Sequence, residues 1–388
     1  MRRWLAWAAG LGTAVLLTGA LAWNRIDHAP RAAAPGAPPS EQLELARAGD
    51  VAAQFAVAAS QLGTPTVARD VPQSLYWFGQ AAQAGHARAQ SALGHMLMRG
   101  RLVRLEAGER ERWVEVDEDV PASSGLAAAP SEAMDWLARA AEQGEVDAQE
   151  RLGLALERGE AGDADPARAK RWFRRAAREG SVVAQLELAR LYDAGAVGER
   201  DAAEAATWYR LAAEAGSAPA QARLAALYTA GDGVHPRYDE AARWARASAE
   251  QGDPDGCYAY AVLHLKGFGV GQDFGRAMHW YREAARRGHA AAQNMLGTVY
   301  FAGEGVERNL AEAERWWRMA AEQGYAAAQF NLGGMYSREL SATLGRDEAI
   351  DWLAKAAEQG HRRAAVELDA LRGEPAAADD EGRAGGLL

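Results

Sequence analysis

The chain of 388 residues contains a single cysteine, Cys257. That excludes an intrachain disulfide and a cysteine-built zinc site. It has no surplus of positive charge: 43 Lys and Arg stand against 53 Asp and Glu, for a formal net charge of −10. A general binder of the phosphate backbone needs a basic stripe, so nucleic acid is not an expected partner. Signatures of catalysis are missing as well. No G-x-S-x-G, H-E-x-x-H, P-loop or dinucleotide-binding glycine pattern occurs. β-Branched residues are sparse in the middle of the chain, where alanine is abundant, and this favours helix.

A long apolar run is present at the start. Met1-Arg2-Arg3 precedes Trp4 to Trp23, twenty residues without a charge. Such a helix spans about 30 Å, the thickness of a bilayer core. The arginine pair should stay in the cytoplasm and the rest of the chain should lie across the membrane. Two readings of residues 1–23 stay open. Ala20-Leu21-Ala22 fits a signal-peptide cleavage site. Trp4, Trp7 and Trp23 fit the interfacial anchors of a retained helix, and this reading is preferred. The expected location is the periplasmic side of the inner membrane in a Gram-negative host, tethered through residues 4–23 with the N-terminus inside. Cleavage would leave a soluble periplasmic protein. Residues 24–40, rich in Pro and Ala, read as an extended linker.

The rest is governed by a repeat. Trp136, Trp172, Trp208, Trp244, Trp280, Trp316 and Trp352 are each 36 residues apart, and Trp77 lies 59 before Trp136, which is 36 plus 23. Glycines keep the same interval from Gly144 to Gly360. Eight of the thirteen Trp fall in this register, so the pattern is a repeat and not composition. Within 289–324 the spacing predicts helix A over Ala290–Ala302, with Ala292, Leu296, Val299 and Tyr300 on one face. Helix B follows over about Leu310–Gln323, with Ala313, Trp316, Ala320 and Ala321 on its stripe. Gly303-Glu304-Gly305-Val306 breaks the pair, and Gly324 stops helix B. The repeat Trp is read as core, filling the gap between helices A and B. Trp317, beside it, is read as extra and as a candidate exposed aromatic.

The expected architecture is all-α, a right-handed α-solenoid of eight 36-residue helix-turn-helix repeats over 41–372. The copies are 50–85, 86–144, 145–180, 181–216, 217–252, 253–288, 289–324 and 325–360. Short helices near Glu41–Arg47 and Arg362–Leu371 close the ends, and 373–388 read as a disordered tail. The 23 extra residues fall in the second copy, in an insertion of about 101–130. Apolar and charged residues alternate there on both sides of Gly108, which predicts a β-hairpin, although Leu102, Leu105, Trp113 and Val116 also fit a helical period.

Ala292-Gln293, Leu296-Gly297, Tyr300, Gly303-x-Gly305-Val306, Ala313, Trp316, Ala320-Ala321 and Gly324 resemble the Sel1-like repeat, a relative of the tetratricopeptide repeat. The resemblance covers about 310 of the 388 residues. Departures are Ala189, Ala225 and Ala261 at the Gly297 register, His264 at that of Tyr300, Glu339 at that of Gly303, and Cys257 where Gln is usual. The resemblance implies adaptor work: assembling complexes, with exported bacterial members associated with signalling, envelope polysaccharide systems and host interaction. Some members are described as binding or hydrolysing β-lactams, and no residue pattern here supports that independently.

No catalytic, metal or cofactor residues are expected, and the chain is read as no enzyme. His86, His289 and His361 share a turn register and read as structural; His264 and His279 share a repeat but lack a third ligand. Variation between copies is more informative. Three A-helix registers drift while their neighbours hold, and their spacing places them on one face. Tyr258, Val262, Leu265, Asn294, Thr298, Phe301 and Phe330 are the candidate groove for a peptide or helix anchor. The competing reading is packing between adjacent helices. Trp113, in the insertion, is a further candidate. The expected function is a protein–protein scaffold binding an unidentified protein on its concave face, with no small-molecule ligand. Alternatives are a binder of cell-wall glycan or peptide, or a hydrolase acting on such material.

Overall fold

The computed structural model describes residues 39–61, 71–98, 102–107, 110–115, 130–338, 340 and 344–373. The expected membrane segment, most of the linker, and the tail beyond Gly373 lie outside the described residues. The A helices are Val51–Gln61 (α2), Ala87–Met98 (α4), Val146–Arg158 (α6), Val182–Ala194 (α8), Ala218–Ala230 (α10), Pro254–Lys266 (α12), Ala290–Ala302 (α14) and Ala326–Ser337 (α16). The B helices are Val71–Gln83 (α3), Pro130–Glu142 (α5), Pro166–Arg178 (α7), Ala202–Glu214 (α9), Tyr238–Glu250 (α11), Phe274–Arg286 (α13), Leu310–Glu322 (α15) and Arg346–Glu358 (α17). Pro39–Arg47 (α1) precedes the series and Arg362–Arg372 (α18) ends it. In the second copy Leu102–Ala107 (β1) and Arg110–Glu115 (β2) pair antiparallel, with Leu102 opposite Glu115 and Arg104 opposite Trp113.

The contacts divide the chain into two units. The first, up to Leu93 with 101–127, holds α1 to α3, the start of α4 and the hairpin, whose β2 packs on α3. The second, Gly94–Gly100 with Ala128 onward, holds the remaining hairpins. Within it each helix packs mainly on its two sequence neighbours. Successive A helices also touch, as α10 does α12, whereas no two B helices pack to a comparable extent.

Local chemistry sets the helix ends. Asp165, Asp201, Asp273 and Asn309 cap B helices by accepting the backbone N–H three residues on, at 2.8–3.0 Å. Pro166 and Pro254 stand in the first turn, where a missing N–H costs nothing. Gly303 ends α14 at φ 73, a left-handed conformation that glycine adopts without steric cost.

A buried glutamine ties each B helix to the next A helix. Gln54, Gln90, Gln149, Gln185, Gln221, Gln293 and Gln329 donate Nε2 to the carbonyl eight residues back, at 3.0–3.2 Å. Cys257 takes this place in the sixth copy, with only a 3.8 Å Sγ contact to Ala249 O.

The core corrects the reading of the tryptophans in part. Trp77 and Trp316 are buried, as read from the sequence, whereas Trp136, Trp172, Trp208, Trp244, Trp280 and Trp352 are half-buried. The fully enclosed side chain is the next residue along: Phe78, Leu137, Phe173, Tyr209, Tyr281 and Leu353 are at most 1% exposed, and Trp317 is 3% exposed. Trp317 is therefore neither extra nor exposed. It occupies the common core register, and its indole Nε1 donates to Asn294 O at 3.2 Å. The ring lies so close over Gly297 that a Cβ there would sit 2.5 Å from Cδ1. Trp is accommodated because its partner has no side chain.

Candidate functional site: the helix A face

Copies three to five and copies six to eight carry different chemistry on this face. In α6 and α8 it is largely ionic, and α10, whose three registers hold Ala222, Ala226 and Thr229, adds Arg223 to it. Arg151 donates to Asp147 at 2.8 Å and contacts the His95 ring at 2.6 Å. Glu187 accepts from Arg190 at 2.9 Å. Asp193, with its side chain 8% exposed, pairs with Arg200 at 2.7 Å and with Arg223 of α10. Arg200 continues to Asp232 at 2.5 Å. Burial alone would raise the Asp193 carboxyl, but the Arg223 and Arg200 guanidiniums outweigh it and hold it below its ordinary value. Burial pushes Glu150 up, partly offset by the Ser181 hydroxyl donating to its Oε2 at 2.7 Å. Burial and the nearby Glu187 raise Glu157.

In α12, α14 and α16 the face is apolar, aromatic and amide. All seven sequence-nominated positions of these helices fall here. Thr298 is exposed, and Tyr258, Val262, Leu265, Asn294, Phe301 and Phe330 are half-buried. Their environments differ. Tyr258 stacks on His289 with centroids 4.4 Å apart, and Phe330 on His361 at 4.5 Å. Phe301 leans on Trp317 at 5.3 Å, with the Arg308 guanidinium 5.6 Å over its ring. Asn294 Oδ1 accepts from Asn331 Nδ2 at 3.0 Å, and Thr298 Oγ1 donates to Asn294 O at 3.0 Å. Val262 and Leu265 rest against the buried core of the middle copies. Trp113 belongs to β2 in the first unit.

Sequence reasoning did not find the joint that uses the Tyr258 register. In four places the residue capping a helix meets the A-helix residue 31 positions earlier, in the preceding copy. His86 stacks on Phe55 at 4.6 Å, just as His289 does on Tyr258 and His361 on Phe330. Where the earlier residue is Glu150, the cap is Ser181. Each of the three histidines also accepts a backbone N–H through Nδ1, at 3.1–3.3 Å. His289 Nε2 lies 3.4 Å from Asp255, whose carboxyl this contact lowers. The signal was present in the sequence as a covariation: each aromatic at this register is followed 31 residues later by His.

Among the described residues no group of three or more His, Cys, Asp or Glu could hold a metal ion. His264 is buried, with Nδ1 3.3 Å from Gly271 O, while His279 lies edge-on to Trp280. The nominated pair is thus engaged separately. No described helix is long and apolar enough to cross a membrane.

Helical hairpins stacked in sequence order, most of them tied by a glutamine clamp and four of the junctions by a capping joint, define an α-solenoid. The chain belongs to the Sel1 repeat family, which it matches at residues 51–86, 124–145, 146–181, 182–217, 218–253, 254–289, 290–325 and 326–361. A Sel1 repeat protein from Oxalobacter formigenes is 30% identical, covering 87% of this chain and 90% of that one, with a TM-score of 0.62. A protective antigen present in uropathogenic Escherichia coli strains, displaying an SLR fold, is 28% identical over 87% of this chain and 68% of its own, with a TM-score of 0.64. Among curated proteins none matches significantly. Sel1-repeat proteins generally mediate protein–protein interactions, and this chain has the scaffold for such work.

Proposed function

We propose that the chain is a non-enzymatic adaptor that receives a segment of a partner protein on the A face of copies six to eight. The observation that carries this reading is the change of chemistry along the face. The ionic half is neutralised internally by its own arginine–carboxylate pairs. The other half presents Thr298 and the half-buried Val262, Leu265 and Phe301, which rest on the core with part of their apolar surface still open, and this suits an apolar anchor. Tyr258 and Phe330 have one ring face already covered by histidine, so they support the groove more than they line it. That covering also argues against a glycan platform, which needs open aromatic faces. We further propose that residues 4–23 tether the scaffold to the inner membrane, with the repeats in the periplasm.

The full-length chain, solubilised from membranes and used to capture envelope proteins, should retain a partner that Leu265→Arg/Thr298→Arg releases. The variant's melting temperature should stay within a few degrees of the parent. Unchanged capture by a folded variant would reject the groove. Release of the chain from membranes by alkaline carbonate would reject the tether.

A further inference from the structure

A second face, separate from the groove, carries a charge pattern that packing does not explain. The α7 helix, Pro166–Arg178, contains Arg168, Lys170, Arg171, Arg174, Arg175 and Arg178 and no acidic residue. This stands out in a chain of net charge −10. The B helices of the adjoining copies have the opposite balance. In α5 Glu132, Asp135 and Glu142 face one arginine, and in α9 Glu204 and Glu214 face one arginine.

Two of the six cations are used within the fold. Lys170 sits 3.8 Å over the Tyr192 ring, and Arg174 donates to the Tyr192 hydroxyl at 2.6 Å. The other four, Arg168, Arg171, Arg175 and Arg178, follow i, i+3, i+7, i+10 spacing. That places them in one stripe about 15 Å long. All four are exposed. Arg168 has only a 3.9 Å approach to its capping Asp165, and Arg175 lies 4.7 Å over the Trp172 ring. Arg171 and Arg178 make no ion pair among the described residues. Several arginines of other B helices are neutralised on their own helix, Arg243 by Glu240, Arg246 by Glu250 and Arg315 by Glu312.

Within the stripe each guanidinium repels the next across one helical turn. The helix dipole favours Arg175 and Arg178 in the last turn, but it acts against Arg168 and Arg171 near the first. An external anion would relieve both effects.

We propose that the arginine stripe of α7 is a docking site for an acidic peptide segment of a partner protein. Exposed guanidiniums take carboxylates in bidentate pairs. An extended run of about five residues covers the 15 Å stripe at roughly 3.3 Å per residue. The flanking acidity selects against the other anionic surfaces. A flat anionic bilayer would bring its headgroups against α5 and α9, and a long polynucleotide would run off the stripe onto them. The site is independent of the groove, and its variants leave the groove residues untouched.

The test uses the full-length chain and a fluorescein-labelled hexaglutamate peptide, read by fluorescence anisotropy. Binding should weaken as salt rises. Arg171→Glu/Arg178→Glu should lower affinity by about tenfold or more, while Arg243→Glu/Arg315→Glu should leave it within about twofold. Should the reversal fail to fold, Arg171→Gln/Arg178→Gln removes the charge alone and gives the same reading. Absence of hexaglutamate binding, or equal binding by the folded α7 variants, overturns the proposal. Stronger binding to phosphatidylglycerol vesicles or to a single-stranded oligonucleotide also overturns it and reassigns the stripe to that surface.

Discussion

At the scale of the residue, the array is held by a few positions that recur with small differences. The buried glutamine is one. In the fifth, seventh and eighth copies its Oε1 accepts from Gln251, Gln323 or Gln359, the residue just past the end of the B helix that follows, at 2.7–2.8 Å. In Gln54, Gln149 and Gln185 the same buried oxygen has no partner. Ala215 stands at the missing position for Gln185, 36 residues before Gln251. Ala215→Gln should therefore stabilise the chain by about 0.5–1.5 kcal/mol, seen as a rise in melting temperature. A Gln185→Leu background should abolish the gain. The Gly297–Trp317 pair makes the converse prediction. Gly297→Ala should cost about 1–3 kcal/mol by overpacking. Adding Trp317→Tyr should recover part of it, since Ala189 and Ala261 sit at the same register where the core residue is Tyr209 or Tyr281; additive losses would disprove the coupling. The alanine and glycine registers were legible in the sequence. That Trp317 is enclosed more fully than Trp316 was not. Adjacent residues of one type are told apart only by the 100° between them and by what lies opposite.

At the scale of the element, helices and their ends were readable because each end has its own chemistry: Asp or Asn before a B helix, Gly after an A helix. Alternation around Gly108 was readable for the same reason, since a period of two differs from 3.6. The candidate face was legible only in part. A periodicity argument gathers Tyr258, Val262 and Leu265 on one side of α12, but it carries no information about a residue 31 positions later in another element. That partner decides how much of Tyr258 is free. Replacing His289 tests the joint. His289→Ala removes cap and stack together and should lower stability by about 1–2 kcal/mol. His289→Ser should restore the cap alone and recover roughly half. Equal melting temperatures for the two variants would mean that the cap contributes nothing. Between α8 and α10 the joint is reinforced by charge. Because the Asp193 carboxyl is held below its unfolded value, its contribution is fully present above the unfolded pKa and is lost as pH falls through the folded one. Asp193→Asn should thus lower thermal stability near neutral pH by about 1 kcal/mol. The difference from the parent should close on acidification below the carboxylate range. A gap that persists in acid would assign the loss to packing instead.

At the scale of the whole chain, stability grows by addition, since each hairpin answers mainly to its neighbours. Removing one 36-residue copy should therefore shorten the array without unfolding it. Where the cut falls matters. Deleting 254–289 leaves Asp253 to cap the next helix opposite Ala222, as in the parent. Deleting 253–288 differs by one residue and puts His289 there, without an aromatic to stack on. The first deletion should melt higher, by about 0.5–1 kcal/mol of stability, and calorimetry of the two purified chains decides it. The glycine-ended copy read from the sequence, 253–288, separates Tyr258 from His289. The family's unit, 254–289, encloses both. The same holds for Phe55 with His86 in 51–86, Glu150 with Ser181 in 146–181 and Phe330 with His361 in 326–361. These four segments thus arrive with their own seal already matched. Such a cassette can be excised, duplicated or exchanged without leaving an ill-fitting seam, so the length of the array is free to change while its junctions stay closed.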